Sequence, residues 1–255
     1  MDRLDEIRKI IEDAEREAGR IMLSARDIAA GVEEKSGVDN FVTAYDKKVQ
    51  EYLKKRFAAE VPEAGFVGEE EASSVDVTKG MVFIVDPIDG TSNFLYGYNH
   101  SCISVGVLSE GEAVLGLVYD PYRDELFSAR AGQGALLNGK PIHVSGGTVE
   151  NGLVLVGTAP YYREELGDDT FRMIRAYFNR CVDIRRTGSA ALDLCSVACG
   201  RAALFCELRL SPWDYAAGAL IVREAGGRVM TADLKPLTYD RRISVIATGC
   251  ADGEI

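Results

Sequence analysis

The sequence predicts a mixed fold, α+β in its first part and α/β in its second, built as two layered halves over residues 1–145 and 146–255. Three observations carry this expectation. Apolar residues recur at helical spacing through much of the first sixty positions. Apolar and β-branched runs then follow in quick succession, separated by Gly or Pro. Past Gly146, strand and helix patterns alternate.

Taken in order, Leu4, Ile7, Ile10, Ile11, Ala14, Ala18, Ile21 and Met22 mark one long amphipathic helix. After the polar stretch GVEEKSGVDN, a second helical pattern runs from about Thr43 to Ala59. Strands are expected at Val82–Val85, Cys102–Leu108, Ala113–Tyr119 and Glu125–Ala129, and Asn138-Gly139 signals a tight hairpin. In the second half, strands are expected at Leu153–Val156, Val182–Arg185, Ala202–Cys206, Gly227–Met230 and Ile243–Ala247. Helices are expected at Asp169–Phe178, Ala190–Ala198 and Pro212–Glu224, the last stopped by Gly226-Gly227. No repeat, low-complexity tract or flexible linker interrupts the pattern.

The 255 residues are 47% hydrophobic and carry a formal net charge of −11. That balance is unsuited to direct nucleic-acid binding by the surface as a whole. No apolar stretch reaches the roughly 18 residues needed to span a membrane, and the charged start MDRLDEIRKI does not read as a signal peptide. Six cysteines without a short-spaced metal pattern, and only two histidines, read as buried thiols of a reducing cytoplasm rather than a zinc site. The glycines of AGQGALLNG lack the third glycine of a dinucleotide loop and lead into the hairpin signal instead. Trp213 is expected to anchor its helix in the core, and His100 to be a polar loop residue.

The informative residues are acidic. Asp86 and Asp89 flank Pro87 at the end of an apolar run, in VDPIDGTSNF, where they are expected to leave the strand in a turn. Asp46 falls in the first turn of the second helix, Glu69 to Glu71 follow a short apolar piece, and Asp214 matches a capping box, S-x-x-D, after Ser211-Pro212. Each has a structural explanation, but like charges crowded together are costly unless cations neutralise them. Mg²⁺ takes carboxylate and carbonyl oxygens, keeps several waters and is completed by substrate phosphate. The DPIDGT turn therefore reads as a metal cradle, with the Ile88 carbonyl as a further ligand and the N–H groups of Gly90 and Thr91 available to a phosphate oxygen.

GEEE at 68–71, DPIDGTSNF at 86–94 and PWDYAAGALIVREAGG at 212–227 resemble the three motifs of the inositol monophosphatase family, and the resemblance covers essentially the whole chain. It implies the layered α-β-α-β-α sandwich of the inositol monophosphatase and sugar phosphatase type. It further implies two or three Mg²⁺ ions held by Glu69, Asp86, Ile88 (through its carbonyl), Asp89 and Asp214. Thr91 and Asp46 resemble the pair that activates the attacking water, with Glu69 beside them, and Lys35 matches a lysine near the site. Asp89, Gly90, Thr91, Gly188, Ser189, Ala190, Glu207 and Asp214 resemble the substrate contacts.

The implied reaction is Mg²⁺-dependent, lithium-sensitive hydrolysis of a small phosphorylated polyol or sugar by a cytoplasmic homodimer. Inositol 1-phosphate ranks first among substrates, since Ser189 and Glu207 suit hydroxyl groups. Fructose 1,6-bisphosphate ranks second and needs a further basic pocket from Arg185, Arg186 or Arg209. A 3′-phosphoadenosine 5′-phosphate type of substrate ranks third. A reading of another class is a binding protein of transcription complexes that retains the metal site.

Overall fold

The computed structural model describes residues 2–26, 33–34 and 41–250. Helices α1 (Arg3–Leu23) and α2 (Ala44–Glu60) flank a short antiparallel pair, β1 (Glu33–Glu34) and β2 (Phe41–Val42). Asp2 caps α1 by accepting from the Asp5 N–H, and Thr43 caps α2. Seven strands follow: β3 (Gly65–Gly68), β4 (Met81–Asp89), β5 (Cys102–Ser109), β6 (Glu112–Asp120), β7 (Glu125–Arg130), β8 (Ala135–Leu137) and β9 (Lys140–Ile142). They pair in sequence order, β3 parallel to β4 and every other neighbour antiparallel. A five-residue helix, α3 (Thr91–Leu95), follows β4 directly.

The second half supplies β10 (Leu153–Val156), α4 (Arg163–Phe178), β11 (Asp183–Arg185), α5 (Ala190–Ala198), β12 (Leu204–Leu210), α6 (Pro212–Glu224), β13 (Arg228–Met230) and β14 (Ile243–Thr248). Its sheet has the order β11-β10-β12-β14-β13, parallel around β10 and antiparallel around β14.

Burial sorts these elements into five layers. Phe83 and Val85 of β4 face α1 and α2 with Ile7, Ile11, Leu53 and Phe57, whereas the alternate residues Val82 and Ile84 face the α5 and α6 layer. Strands covered on both faces need a continuous apolar run, which is why β4 reads MVFIV rather than alternating with polar residues. The second sheet lies on the far side of α5 and α6 and packs its outer face against α4. The result is the expected α-β-α-β-α sandwich.

Helix α6 can sit between two sheets because small residues line its contacts. A methyl group on Gly116 of β6 would lie 2.6 Å from the Ala217 carbonyl oxygen, and one on Gly106 of β5 would lie 2.9 Å from Ala216 Cβ. Tyr215, fully buried, anchors this helix, while Trp213 is only partly buried. The larger ring is thus not the core anchor that its size suggested.

Three elements extend well past their expected bounds, β4 among them, which continues beyond Val85 to Asp89. Helix α4 begins at Arg163, six residues before Asp169, because its first turns are polar and half-exposed and so show no apolar period; Glu164 and Glu165 favour this end electrostatically. Strand β12 continues past Cys206 to Leu210. The Asn138-Gly139 hairpin forms as expected, both residues having φ near +50° to +75° between β8 and β9. The N–H groups of Gly132 and Gly134 each donate to the Glu224 carboxylate at 2.8 Å, so this glycine segment is tied to α6. No helix among the described residues is long and apolar enough to cross a membrane.

The close approach of α6 to β6 sets an expected outcome. Gly116→Ala should lower stability by roughly 2 kcal/mol through overpacking against the α6 backbone, read as a lower urea midpoint with an unchanged m-value. An unshifted midpoint would show that α6 can move away at no cost.

Candidate functional site

At DPID the first sheet stops being regular. In an undistorted strand, side chains three apart point to opposite faces. Here Asp86 lies opposite Ser104 and Asp89 opposite Cys102, so three residues of β4 span two of β5. This bulge turns Asp86 and Asp89 onto the same face. Pro87, which has no N–H for the ladder, occupies the irregularity, one of the few sheet positions that tolerate it. The two aspartates thus lie within a strand that continues to Asp89, and not in a turn beyond its end.

Local hydrogen bonds hold Asp86 and Asp214, and partners distant in the chain hold Asp89 and Glu207. Asp86 Oδ1 accepts the Ile88 N–H at 3.0 Å. Asp214, third residue of α6, accepts the Ser211 N–H on Oδ2 at 2.6 Å, so the capping role is present and engages that oxygen. Asp89 Oδ2 accepts from the Ser189 hydroxyl at 2.5 Å and the Ala191 N–H at 2.8 Å, at the start of α5. The Glu69 N–H donates to the Val85 carbonyl, extending β3 beside the end of β4. Glu207 lies at a second bulge, where β12 steps from Glu207 opposite Val245 to Leu210 opposite Ile243, and its Oε1 accepts the Ala159 N–H at 2.8 Å.

These five carboxylates line one cleft between the two sheets, with Ile88, Gly90 and Thr91 on one side and Gly188, Ser189 and Ala190 on the other. Asp46 stands behind this lining. Its Oδ2 accepts from the Thr43 N–H and hydroxyl at 2.8 and 2.5 Å, and its Oδ1 accepts from the Thr91 hydroxyl at 3.3 Å. The same hydroxyl lies 3.2 Å from the Ile88 carbonyl oxygen. Gly90 has φ +89°, and a side chain there would meet the His100 and Gly188 carbonyl oxygens at 3.1 and 3.2 Å. Lys35 lies outside the described residues.

Burial, and then the charges of Glu69, Asp89 and Asp214, hold the Asp86 carboxyl well above the ordinary carboxylate range. Asp214 is raised by burial and by Glu69 and Asp89. Asp89 is raised by burial against the lowering effect of its Ser189 and Ala191 bonds. Burial also lifts Asp46 to about 6 and Glu207 to about 7.

Carboxylate oxygens gathered so closely that their charges raise one another's pKa fit a hard divalent cation. Among the described residues, no three His, Cys, Asp or Glu side chains converge tightly enough to enclose a metal unaided. An open set of this kind suits Mg²⁺, which retains waters and shares substrate oxygens.

Two cleft residues were not singled out from the sequence as part of the carboxylate site. Asp193, buried on α5, accepts from the Thr187 hydroxyl at 2.6 Å and lines the cleft. Its signal was a lone charge in the otherwise apolar helix AALDLCSVA. Arg186, weighed only for a second pocket, lines this first cleft and donates to the Thr158 hydroxyl at 3.3 Å. Arg185 is exposed and paired with Asp183.

The Inositol monophosphatase family model matches residues 3–254. A Nus factor SuhB of Salmonella typhimurium is 38% identical over 217 residues, covering 85% of this chain and 81% of that protein. Inositol monophosphatase 3 of Solanum lycopersicum is 40% identical over 222 residues, covering 85% and 82%. The solved structure of an inositol monophosphatase from Anabaena (Nostoc) sp. PCC 7120 superposes with a TM-score of 0.87 at 31% identity, covering 99% and 94% of the two chains.

Glu207 gives the site a pH signature. Its carboxyl is raised from an ordinary 4.5 to about 7, so its contribution to stability is fully present below 4.5 and is lost as pH rises through 7. In metal-free buffer, the stability difference between wild type and Glu207→Gln should change by roughly 3 kcal/mol between pH 4.5 and 8, in favour of the variant at high pH. Denaturant titrations at both pH values check this; a difference independent of pH would sink it.

Proposed function

The chain belongs to the inositol monophosphatase family, and from that membership we propose that it hydrolyses a phosphate monoester of a small polyol with Mg²⁺, inositol 1-phosphate first among the candidates. The observation that carries this reading is the β4 bulge, which directs Asp86 and Asp89 to one face beside the hydrogen-bonded pair Thr91 and Asp46. Glu69, Asp86, Asp89, Asp214 and the Ile88 carbonyl would hold two or three Mg²⁺ ions. Bound there, the cations draw charge from the phosphate and the departing oxygen and make a water more acidic.

The chain's own residues do the rest. Asp46, fixed by its bonds to Thr43, receives the Thr91 hydroxyl proton on Oδ1 and so leaves the Thr91 oxygen lone pairs to accept from the attacking water. Glu69 lines the same cleft. On the opposite side, the start of α5 presents Gly188, Ser189 and Ala190, and Glu207 adds a buried carboxylate, groups suited to alcohol hydroxyls. All six cysteines are free, which supports a reducing compartment such as the cytoplasm. A homodimer and lithium sensitivity are carried over from the family resemblance.

A second reading is favoured by the relatives named Nus factor SuhB, namely a binding role in a transcription complex.

Phosphate release by the purified protein separates the two. With Mg²⁺, turnover of inositol 1-phosphate should exceed that of fructose 1,6-bisphosphate and 3′-phosphoadenosine 5′-phosphate, and chelation should abolish it. Asp214→Asn should lower kcat by about 10²–10³-fold, and Thr91→Ala by about 10²-fold with KM little changed. No release from any of the three, by folded protein that binds Mg²⁺, would leave the binding role as the better account.

A further inference from the structure

The loop leading into α5 is held at two points, and the two holds serve different neighbours. At Ser189 the hydroxyl donates to Asp89 Oδ2 at 2.5 Å. At Thr187 the hydroxyl donates to Asp193 Oδ1 at 2.6 Å, and the carbonyl oxygen accepts from the Asn93 amide at 2.8 Å. Gly188 joins the two with φ +96°, and a side chain there would run into Arg186 Nη1 and Asn93 Nδ2.

Asp193 is 2% exposed in an otherwise apolar helix, a costly place for an acid that does nothing. The one hydrogen bond of its side chain among the described residues goes to Thr187. Burial and the charges of Asp89 and Glu207 push its carboxyl well above the ordinary range, while the Thr187 bond and the Arg186 charge pull it down. Protonated or not, the carboxyl keeps an acceptor oxygen for the Thr187 hydroxyl. Arg186, next to Thr187 in the chain, is the one cation lining the cleft among the described residues. Its own side-chain bond is long, 3.3 Å from Nε to the Thr158 hydroxyl. What holds Thr187 therefore sets where this guanidinium and the Gly188 peptide stand.

We propose that Asp193 is a positioning residue for the alcohol side of the cleft, fixing Arg186 and Gly188 against the substrate's hydroxyl groups through the Thr187 hydroxyl. The inference rests on the phosphatase reading and deepens it. It names a bond by which the cleft tells a polyol ester from a phosphate ester without hydroxyl groups. With that bond lost, Ser189 stays on Asp89, and only the stretch from Arg186 to Gly188 is released. Binding of the alcohol then suffers, and the reacting phosphate keeps its place.

Steady-state kinetics in Mg²⁺ buffer, with inositol 1-phosphate and p-nitrophenyl phosphate, test this. Asp193→Ala should raise KM for inositol 1-phosphate by about tenfold, the worth of one hydrogen bond. Its effect on kcat, and on either constant for p-nitrophenyl phosphate, should be much smaller. Thr187→Val removes the same bond from the other side and carries the test should the alanine variant not fold. It should reproduce the rise, and the double variant should be no worse than either single one. Asp193→Asn keeps an acceptor oxygen and should restore most of the affinity. An unchanged KM, equal losses on both esters, additive effects or no rescue by Asn would each overturn the role and leave the phosphatase reading standing. No turnover of inositol 1-phosphate by folded wild type that binds Mg²⁺ would overturn both.

Discussion

A carboxylate taken out of water needs charge-assisted partners, and Asp89 finds them across the seam between the two sheets. Its Oδ2 accepts from Ser189 and Ala191, 100 and 102 residues further along the chain, at the start of α5. The partial positive charge of that helix end favours the anion as well. Asn93 adds a second clasp, its amide nitrogen donating to the His100 and Thr187 carbonyl oxygens at 2.7 and 2.8 Å. Through these few bonds the strand that carries Asp86 and Asp89 is held to the loop that carries Gly188 and Ser189. The cleft exists because the two sheets are fastened at its floor.

The sheets contribute to the cleft by the same device. Each has a bulge at the seam, at Asp86–Asp89 in β4 and at Glu207–Leu210 in β12, and each of these two carries an acidic residue that lines the cleft. A bulge gives up ladder regularity in exchange for re-aiming a side chain. The flanking residues are fully buried core, Ile84 and Val85 on one strand and Phe205 and Cys206 on the other, so the irregular backbone is supported by rigid packing.

Much of this was legible in the residues. The apolar period of α1, the Ser-Pro start and Gly-Gly stop of α6, and the Asn-Gly hairpin are local signals, and local signals survive folding. The start of α4 was hidden because its first turns bury almost nothing. The extension of β12 was hidden because Glu207 and Arg209 look like loop residues until their partners across the chain are known. The bulge was hidden for a related reason: Asp-Pro and Asp-Gly are turn formers in isolation, and only the register with β5 shows that the strand continues. Asp193 feels the charge of Asp89, more than a hundred residues away in sequence, and no spacing pattern reports such a neighbour.

Asp46 and Asp214 share one position, the third residue of a helix, and each uses a carboxylate oxygen to hold the N–H of the residue before that helix, Thr43 or Ser211. Both helices therefore begin at the site. A cation or ligand that drew charge from the other oxygen of either aspartate would weaken its grip on that N–H and loosen the helix end. The amide hydrogens of Thr43 and Ser211 would then serve as built-in reporters, their exchange with solvent deuterium recording whether the cleft is filled.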